Sequence, residues 1–96
     1  MNNYEAIALI NNEAIHNFEL TVEGHRAFID YKHKDNKIYL IHTEVPAELK
    51  GKGVAEAIVE KTFQYLEERD LKLVPLCTYV GIYLKRHPEW NRLLVG

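Results

Sequence analysis

The N-terminal half of the chain alternates between apolar and polar side chains, which is the pattern of half-buried β-strands. One run covers residues 18–22 and stops at Glu23 and Gly24, and a second run covers residues 25–33. These two runs predict a β-hairpin. After a turn at Asp35 and Asn36, residues 37–45 predict a third strand that is apolar on both faces and therefore central in a sheet.

The hydrophobic period changes near residue 52. Apolar side chains then repeat at helical spacing, and they comprise Ala55, Ile58, Val59, Thr62, Phe63 and Leu66. The pattern predicts one long helix over residues 52–69 and a buried strand over residues 71–76. Thr78 is predicted as the N-cap of a second, shorter helix, which Pro88 helps to end.

The predicted order of elements is three strands, a helix, a strand and a helix. A strand, helix and strand in succession favour a right-handed crossover with parallel pairing. Pro75 has no N–H to donate, so the last strand should lose pairing near its end and leave a gap beside it. The predicted class is α/β (α+β), with a mixed sheet, antiparallel N-terminal strands, a splayed last strand and two helices of unequal length.

Composition limits the possible functions. The chain has 96 residues, of which 47% are hydrophobic, so we expect one domain over residues 1–96. A net charge of -2 and a pI near 6.2 argue against nucleic-acid binding by a general basic field. A single cysteine, no long apolar run and no leader in residues 1–10 predict a cytoplasmic protein with no membrane partner. No pattern indicates an oligomeric state.

The segment between the third strand and the long helix carries the strongest functional signal. Lys50, Gly51, Lys52 and Gly53 stand directly before Val54 and Ala55, at the predicted start of the helix. Helix N-termini present unpaired N–H groups and a positive dipole end, glycines allow close approach, and lysines add charge. This layout predicts a phosphate-binding loop for a small ligand.

Two common phosphate motifs do not fit this loop, and a plain helix entry stays open as an alternative. A nucleotide-hydrolysing P-loop would need glycine where Pro46 stands, and a Ser or Thr where Gly53 stands. A dinucleotide fingerprint would need its third glycine at Glu56, whose carboxylate would face a diphosphate.

The loop sequence from Lys50 to Ala55 is similar to the Gln/Arg-x-x-Gly-x-Gly/Ala motif of the GNAT N-acetyltransferase superfamily, which binds the diphosphate of acetyl-CoA. The segments at residues 42–46, 74–79 and 86–89 resemble a small, single-domain branch of that superfamily, the YjdJ-like proteins. The resemblance covers about residues 16–93. Larger members carry two helices after their first strand, for which the turn at Glu23 and Gly24 leaves no room.

The resemblance implies a minimal GNAT-type fold and transfer of an acetyl group from acetyl-CoA to an amine of a small molecule or protein. A non-catalytic module that binds acetyl-CoA or CoA, and an interaction domain without ligand, stay open as alternatives. The coenzyme contacts that it implies are Thr43, Val45, Lys50, Gly51, Lys52, Gly53, Val54, Ala55, Cys77, Tyr83 and Arg86.

Acetyl transfer to an amine needs a proton acceptor. A lysine with an ordinary pKa of ~10.4 costs about 4.6 kcal/mol to deprotonate at pH 7. Glu44, at the end of a central strand, is the best candidate because burial would strengthen it as a base, and His42 lies on the same face two residues earlier. Structural roles for both side chains remain open.

Further catalytic candidates follow the third strand. By resemblance, a backbone N–H near Val45 would stabilise the oxyanion, and Tyr83, with Tyr79 in reserve, would return a proton to the thiolate. Cys77 precedes a helix N-terminus, where the dipole favours a nucleophilic thiolate, so a two-step route with His42 as base is a second hypothesis. Ordinary core packing would explain these side chains equally.

No metal site is predicted, because the remaining histidines lack the close spacing of helical ligands. These are His16, His25, His33 and His87. Lys85 and Arg86 are candidates for the ribose 3′-phosphate of CoA, although a solvated helix end also explains them.

Overall fold

The sheet is mixed, and its strands lie side by side in chain order. The computed structural model describes residues 4–95. The strands are β1 (Ile10–Asn12), β2 (Asn17–Val22), β3 (His25–Lys34), β4 (Lys37–Glu44) and β5 (Lys72–Pro75). Strands β1 to β4 pair antiparallel, whereas β5 pairs parallel with β4. The pairing among β2 to β5 is as the sequence predicts.

Strand β1 is absent from the sequence prediction. It is three residues long, and Ile10 is 55% exposed, so no alternating pattern marks it. Polar contacts hold it instead, because the Asn11 amide donates to the Tyr65 hydroxyl and accepts from the Tyr31 hydroxyl. The first connection of the fold is therefore the short turn between β1 and β2, and not the turn at Glu23 and Gly24.

Two α-helices pack on one face of this sheet. They are α1 (Val54–Glu68) and α2 (Thr78–Arg86), and short 3-10 helices cover Ala47–Leu49 and Pro88–Leu93. The alternate side chains of β2 and β3 that face α1 are fully or nearly fully buried. Phe63 of α1 meets Tyr83 and Trp90 edge-on, at ring distances of 5.5 and 5.6 Å, which joins α1 to α2 and to the second 3-10 helix.

The boundaries of the second helix correct one prediction. Thr78 is the first helical residue, and Cys77 is the N-cap, with extended backbone angles. The first helical hydrogen bond runs from the N–H of Gly81 to the carbonyl of Cys77 at 3.1 Å. The chain enters the helix one residue earlier than expected because Leu76 and Cys77 are both anchored by their amides to β4.

A β-bulge interrupts β4. Tyr31 pairs with Leu40, but the preceding residue Asp30 pairs with His42, so Ile41 has no cross-strand partner. Before the bulge, Leu40 faces the helices. After it, the side chain that faces the helices is Thr43, opposite buried Ile29.

The expectation of unbroken alternation over residues 37–45 is therefore wrong. His42 and Glu44 share one face, as predicted, but it is the face of the sheet away from α1 and α2. The strand was also expected to be apolar and buried on both faces. On the face away from the helices it is not buried, because Ile41 is 41% exposed.

Strands β4 and β5 separate at Pro75, which confirms the predicted gap. The pairing ends at Leu40 and Pro75, and the carbonyl of Leu40 accepts the N–H groups of both Leu76 (3.0 Å) and Cys77 (2.8 Å). Strand β4 then continues to Glu44 with no strand on that side within residues 4–95. In the same part of the chain, no helix is long and apolar enough to cross a bilayer.

Candidate functional site

The loop between β4 and α1 turns on two glycines with positive φ. Gly51 (φ +77°) and Gly53 (φ +75°) lie in the left-handed region, and Gly53 is the N-cap of α1. A Cβ built at either glycine would meet no atom within 4 Å. The backbone is therefore accessible from outside at both positions.

Several backbone amides of this loop have no protein acceptor. The N–H of Lys52 donates to the carbonyl of Leu49 at 3.3 Å. Within residues 4–95, no acceptor is hydrogen-bonded to the amides of Gly51, Gly53, Val54, Ala55 and Glu56. Since a helix start also carries the positive end of the dipole, these five amides are suited to receive an anion.

The loop borders a concave pocket of about 400 Å³, called the loop pocket here. Six of the coenzyme contacts implied by the sequence line it, and Glu56, Leu49 and Tyr79 complete the lining. The six are Val45, Lys50, Gly51, Gly53, Val54 and Ala55.

Lys52 does not contribute to this pocket. Its ammonium donates to the carboxylate of Glu23 at 2.9 Å, and this bond raises the pKa of Lys52. Its carbonyl accepts the Tyr4 hydroxyl at 2.7 Å. Lys52 thus ties the loop to the β2–β3 turn, a structural role that sequence reasoning missed because Glu23 lies 29 residues away with no local signal.

The gap between β4 and β5 begins at Leu40 and Pro75 and runs toward Val45 and Tyr79, which line the loop pocket. The Thr43 hydroxyl lies 3.4 Å from the Sγ of Cys77, so these two predicted coenzyme contacts meet across the gap. Cys77 is only 8% exposed. The N–H of Val45, which follows β4 and lines the loop pocket, donates to no other group in the described part of the chain.

His42 and Glu44 form a pair on the other face of β4. The Nε2 of His42 lies 2.8 Å from the Oε1 of Glu44, and the side chains are 54% and 55% exposed. An ionised carboxylate can only accept, so Nε2 carries the hydrogen. In neutral His42, the lone pair is then on Nδ1, which can take up a proton.

This geometry corrects two expectations. Glu44 is not buried, because the bulge turns it outward instead of toward the core. His42 does not reach Cys77, because Cys77 contacts Thr43, and adjacent strand residues project to opposite faces. The hypothesis that His42 activates Cys77 is therefore wrong in this structure.

The two tyrosines of α2 lie in different places. Tyr79 lines the loop pocket, whereas Tyr83 packs against Phe63 and stacks on His87 at 4.3 Å. Burial raises the pKa of Tyr83 to about 12, with smaller contributions from nearby carboxylates such as Glu60. Burial also raises the pKa of Tyr79. Both hydroxyls therefore stay protonated at neutral pH and can act as proton donors.

Tyr83 lines a second concavity, of about 720 Å³, between α1 and the C-terminal 3-10 helix. Four carboxylates border it, from Glu5, Glu56, Glu60 and Glu89. In the described residues, no cluster of three or more His, Cys, Asp or Glu side chains could hold a metal ion. Arg86 is exposed on α2 and lines neither concavity, and its charge lowers the pKa of Tyr79, against the larger effect of burial.

Stability at high pH should report the environment of Tyr83. The pKa of Tyr83 in the folded protein is about 12, above the ordinary 10.0. Its contribution to the free energy of unfolding is therefore complete below pH 10 and is lost as the pH rises toward 12. Urea unfolding at pH 8 to 11.5 should show a shallower loss of unfolding free energy for Tyr83→Phe than for the unchanged protein. Parallel pH profiles for the two proteins would contradict this assignment.

A family comparison agrees with this geometry. The family described as GCN5-related N-acetyl-transferase matches residues 17–93, which include β2 to β5, both α-helices and the loop. The chain belongs to this family.

The chain is also similar to curated proteins and to a solved structure. Protein NATD1 of Xenopus tropicalis and of Homo sapiens are each 34% identical to it over 64 residues, or 66% of this chain. The aligned segment spans 59% and 57% of those proteins. A GCN5-like protein of Staphylococcus aureus, solved by NMR, matches all of this chain and 92% of its own with a TM-score of 0.69 and 25% identity. Placement in the YjdJ-like branch stays a prediction.

Proposed function

We propose that this chain is an N-acetyltransferase that moves an acetyl group from acetyl-CoA to an amine. The observation that carries the proposal is the loop with five unpaired amides at a helix N-terminus, placed next to a gap between two strands. The amides would hold the diphosphate, and the gap would hold the thioester end. Membership of the GCN5-related family supports the same reaction class.

The loop is suited to a diphosphate. Its amides without an acceptor all lie between Gly51 and Glu56, and Gly51 and Gly53 leave open space for close approach. Lys50 lines the pocket and brings a positive charge, whereas Lys52 is held by Glu23. We therefore assign the diphosphate to the main chain with Lys50 as its cationic partner.

The N–H of Val45 is suited to the oxyanion of the transition state. It is fixed at the end of β4, borders the loop pocket and has no acceptor in the described structure. A donor positioned before the reaction stabilises developing charge without reorganisation. Thr43 and Cys77 would flank the thioester in the gap.

The pair of His42 and Glu44 would remove the proton from the amine. His42 accepts it at Nδ1, and Glu44 orients the ring and stabilises the imidazolium. The amine nitrogen then forms a bond to the acetyl carbon, the bond from that carbon to sulfur breaks, and the nitrogen loses its second proton to solvent. The departing thiolate takes a proton from a tyrosine, which solvent reprotonates. Tyr79 is better placed for this role than Tyr83 because it lines the loop pocket.

Direct transfer is favoured over a route through Cys77. The thiol is nearly buried, and its partner is the Thr43 hydroxyl instead of a base. The second candidate function is a non-catalytic module that binds acetyl-CoA or CoA. The exposure of His42 and Glu44 favours it, because a reaction at these side chains would have little protection from water.

Calorimetry with CoA and with acetyl-CoA tests the binding half of the proposal, and thiol release from acetyl-CoA in the presence of amines tests the catalytic half. We expect micromolar binding and amine-dependent release that survives Cys77→Ser. Coenzyme binding without thiol release for any amine would support the non-catalytic binding module. If neither CoA nor acetyl-CoA binds, both functions are overturned.

A further inference from the structure

The second concavity is called the acidic concavity here, after the four carboxylates that border it. It measures about 720 Å³ and lies between α1 and the second 3-10 helix. Glu56 and Glu60 of α1 are four residues apart, so their side chains leave the same face of the helix about 6 Å from each other. Glu5 and Glu89 border the concavity from two other segments of the chain.

These carboxylates have few partners. Within residues 4–95, Glu5, Glu56 and Glu60 form no ion pair. Glu89 meets the Nδ1 of His87 at 3.6 Å. Like charges one helical turn apart repel each other, and a bound cation would relieve this repulsion between Glu56 and Glu60.

The positive groups around the concavity are fewer, and two of them are engaged by carboxylates outside it. The Lys52 ammonium is held by Glu23, which does not line the concavity. The Arg92 guanidinium stacks on an aromatic ring of the lining, but it donates twice to the carboxylate of Glu67. Lys61 is the remaining lysine of the lining in the described part of the chain, so the concavity attracts positive charge.

The hydroxyl of Tyr83 is a second, independent indication of a ligand. Tyr83 is only 6% exposed and lines the concavity, yet its hydroxyl forms no hydrogen bond within residues 4–95. In the described structure no side-chain nitrogen or oxygen is both buried and unpaired, so this hydroxyl reaches the surface at the concavity. A buried tyrosine usually finds a partner for this group. Burial raises the pKa of Tyr83 most, and three of the four carboxylates add to it, so the hydroxyl lies in their field.

The arrangement of the carboxylates favours an extended cation over a metal ion. Among residues 4–95, no three His, Cys, Asp or Glu side chains are placed to hold a metal, so the charges are spread along the concavity. A chain of amines separated by methylene groups distributes its charge in the same way. The methylenes would contact the rings of Tyr83 and Trp90, which both line the concavity.

We propose that the acidic concavity binds a linear aliphatic polyamine. Its ammonium groups would bind the four carboxylates, and one of them would donate to the hydroxyl of Tyr83. The polyamine is a ligand at this site and not the acetyl acceptor. None of the residues proposed to act on the acetyl group, such as His42, Glu44 and Val45, lines the acidic concavity.

The acidic concavity adjoins the proposed coenzyme site. Gly53 and Glu56 line both this concavity and the loop pocket. An ammonium group beside the Glu56 carboxylate would reduce the repulsion between that carboxylate and a diphosphate on the loop amides. Polyamine and coenzyme should therefore strengthen each other's binding, by the same factor in both directions. This coupling rests on the proposed function, whereas polyamine binding itself does not.

Calorimetry with spermidine on the full chain, without coenzyme, tests the site. We expect spermidine to bind, and Mg²⁺ to bind at least about tenfold more weakly because no carboxylate cluster suits it. Tyr83→Phe keeps the ring and removes the hydroxyl, so it should weaken spermidine binding about threefold.

Two glutamates of α1 provide a matched pair of variants. Glu60→Gln should weaken spermidine binding about fivefold, because it removes a carboxylate of the lining. Glu68→Gln removes the same charge from the same helix outside the concavity, and should weaken binding by less than about twofold.

Calorimetry with CoA, with and without saturating spermidine, measures the coupling. Spermidine should lower the Kd of CoA about fivefold in the unchanged protein, and by less in Glu60→Gln. Glu60 lines the acidic concavity but not the loop pocket, so this variant also controls for direct contact between spermidine and the phosphates of CoA.

Polyamine binding is overturned if spermidine does not bind, if Mg²⁺ binds as tightly, or if the two glutamate variants weaken spermidine equally. Competition between spermidine and CoA would also overturn it, because the coenzyme itself would then occupy the acidic concavity. An unchanged affinity for CoA would overturn the coupling alone. Failure of CoA to bind at all would overturn the proposed function, while the spermidine titrations still decide the polyamine site.

Discussion

Gly53→Asp should weaken the binding of CoA by roughly ten- to a hundredfold, whereas Gly53→Asn should weaken it by less than about threefold. Both substitutions place a side chain of similar shape at a left-handed N-cap, where Asn and Asp are tolerated better than other residues, and both find open space. They differ in charge. At about 5 Å and an effective dielectric constant of ~60, two phosphate charges cost about 2 kcal/mol against one carboxylate.

Calorimetry on both variants measures this difference, with circular dichroism to confirm that each is folded. If Asp and Asn weaken CoA equally, the loop acts through its shape alone and the diphosphate does not lie on its amides. If neither change alters the affinity, the coenzyme binds elsewhere and the proposed function loses its main support.

Most of the helices and strands could be predicted because each carries a clear period. The long helix was expected over residues 52–69 and covers Val54–Glu68. Five of the six residues predicted for its buried face are buried, and the sixth, Ala55, is partly exposed. The gap at Pro75 followed from the missing N–H of proline. β1 could not be predicted, since its contacts are amide hydrogen bonds from Asn11 and leave no hydrophobic pattern.

The loop could be located from the sequence, but the roles of its lysines could not. Glycine spacing before a helix indicates where backbone amides will be free, which is a local property. Whether a lysine faces that site depends on its partners in space. Lys52 is engaged by Glu23 from a different turn, and Lys50 lines the pocket instead.

The bulge at Ile41 had the largest effect on the site, and nothing in the sequence marked it. Uninterrupted alternation would place His42 and Glu44 on the same face as buried Leu40. One extra residue reverses the faces beyond it, so the pair becomes exposed and Thr43 turns inward to Cys77. The separation of the proposed coenzyme side from the proposed acceptor side therefore depends on a feature that only the strand register reveals.

Glu44→Gln should lower kcat by about 10²- to 10⁴-fold while leaving the affinity for CoA unchanged. The amide can still accept the hydrogen bond from Nε2 of His42, but it no longer stabilises the imidazolium that forms when Nδ1 takes the proton. Coenzyme binding should be preserved, because Glu44 lies on the face of the sheet away from the helices, whereas the loop pocket is lined by the loop and by residues of α1 and α2. The measurement is thiol release at saturating acetyl-CoA and amine, beside calorimetry with CoA.

His42→Gln provides the matched comparison on the same strand. Because the two side chains act as a unit, the double variant should be little slower than either single one. A Glu44→Gln enzyme with full kcat, together with loss of turnover in Cys77→Ser, would instead move the chemistry to the thiol in the gap. In that case the acyl group would pass through the thiol of Cys77, whose only hydrogen-bonding neighbour in the described structure is the Thr43 hydroxyl.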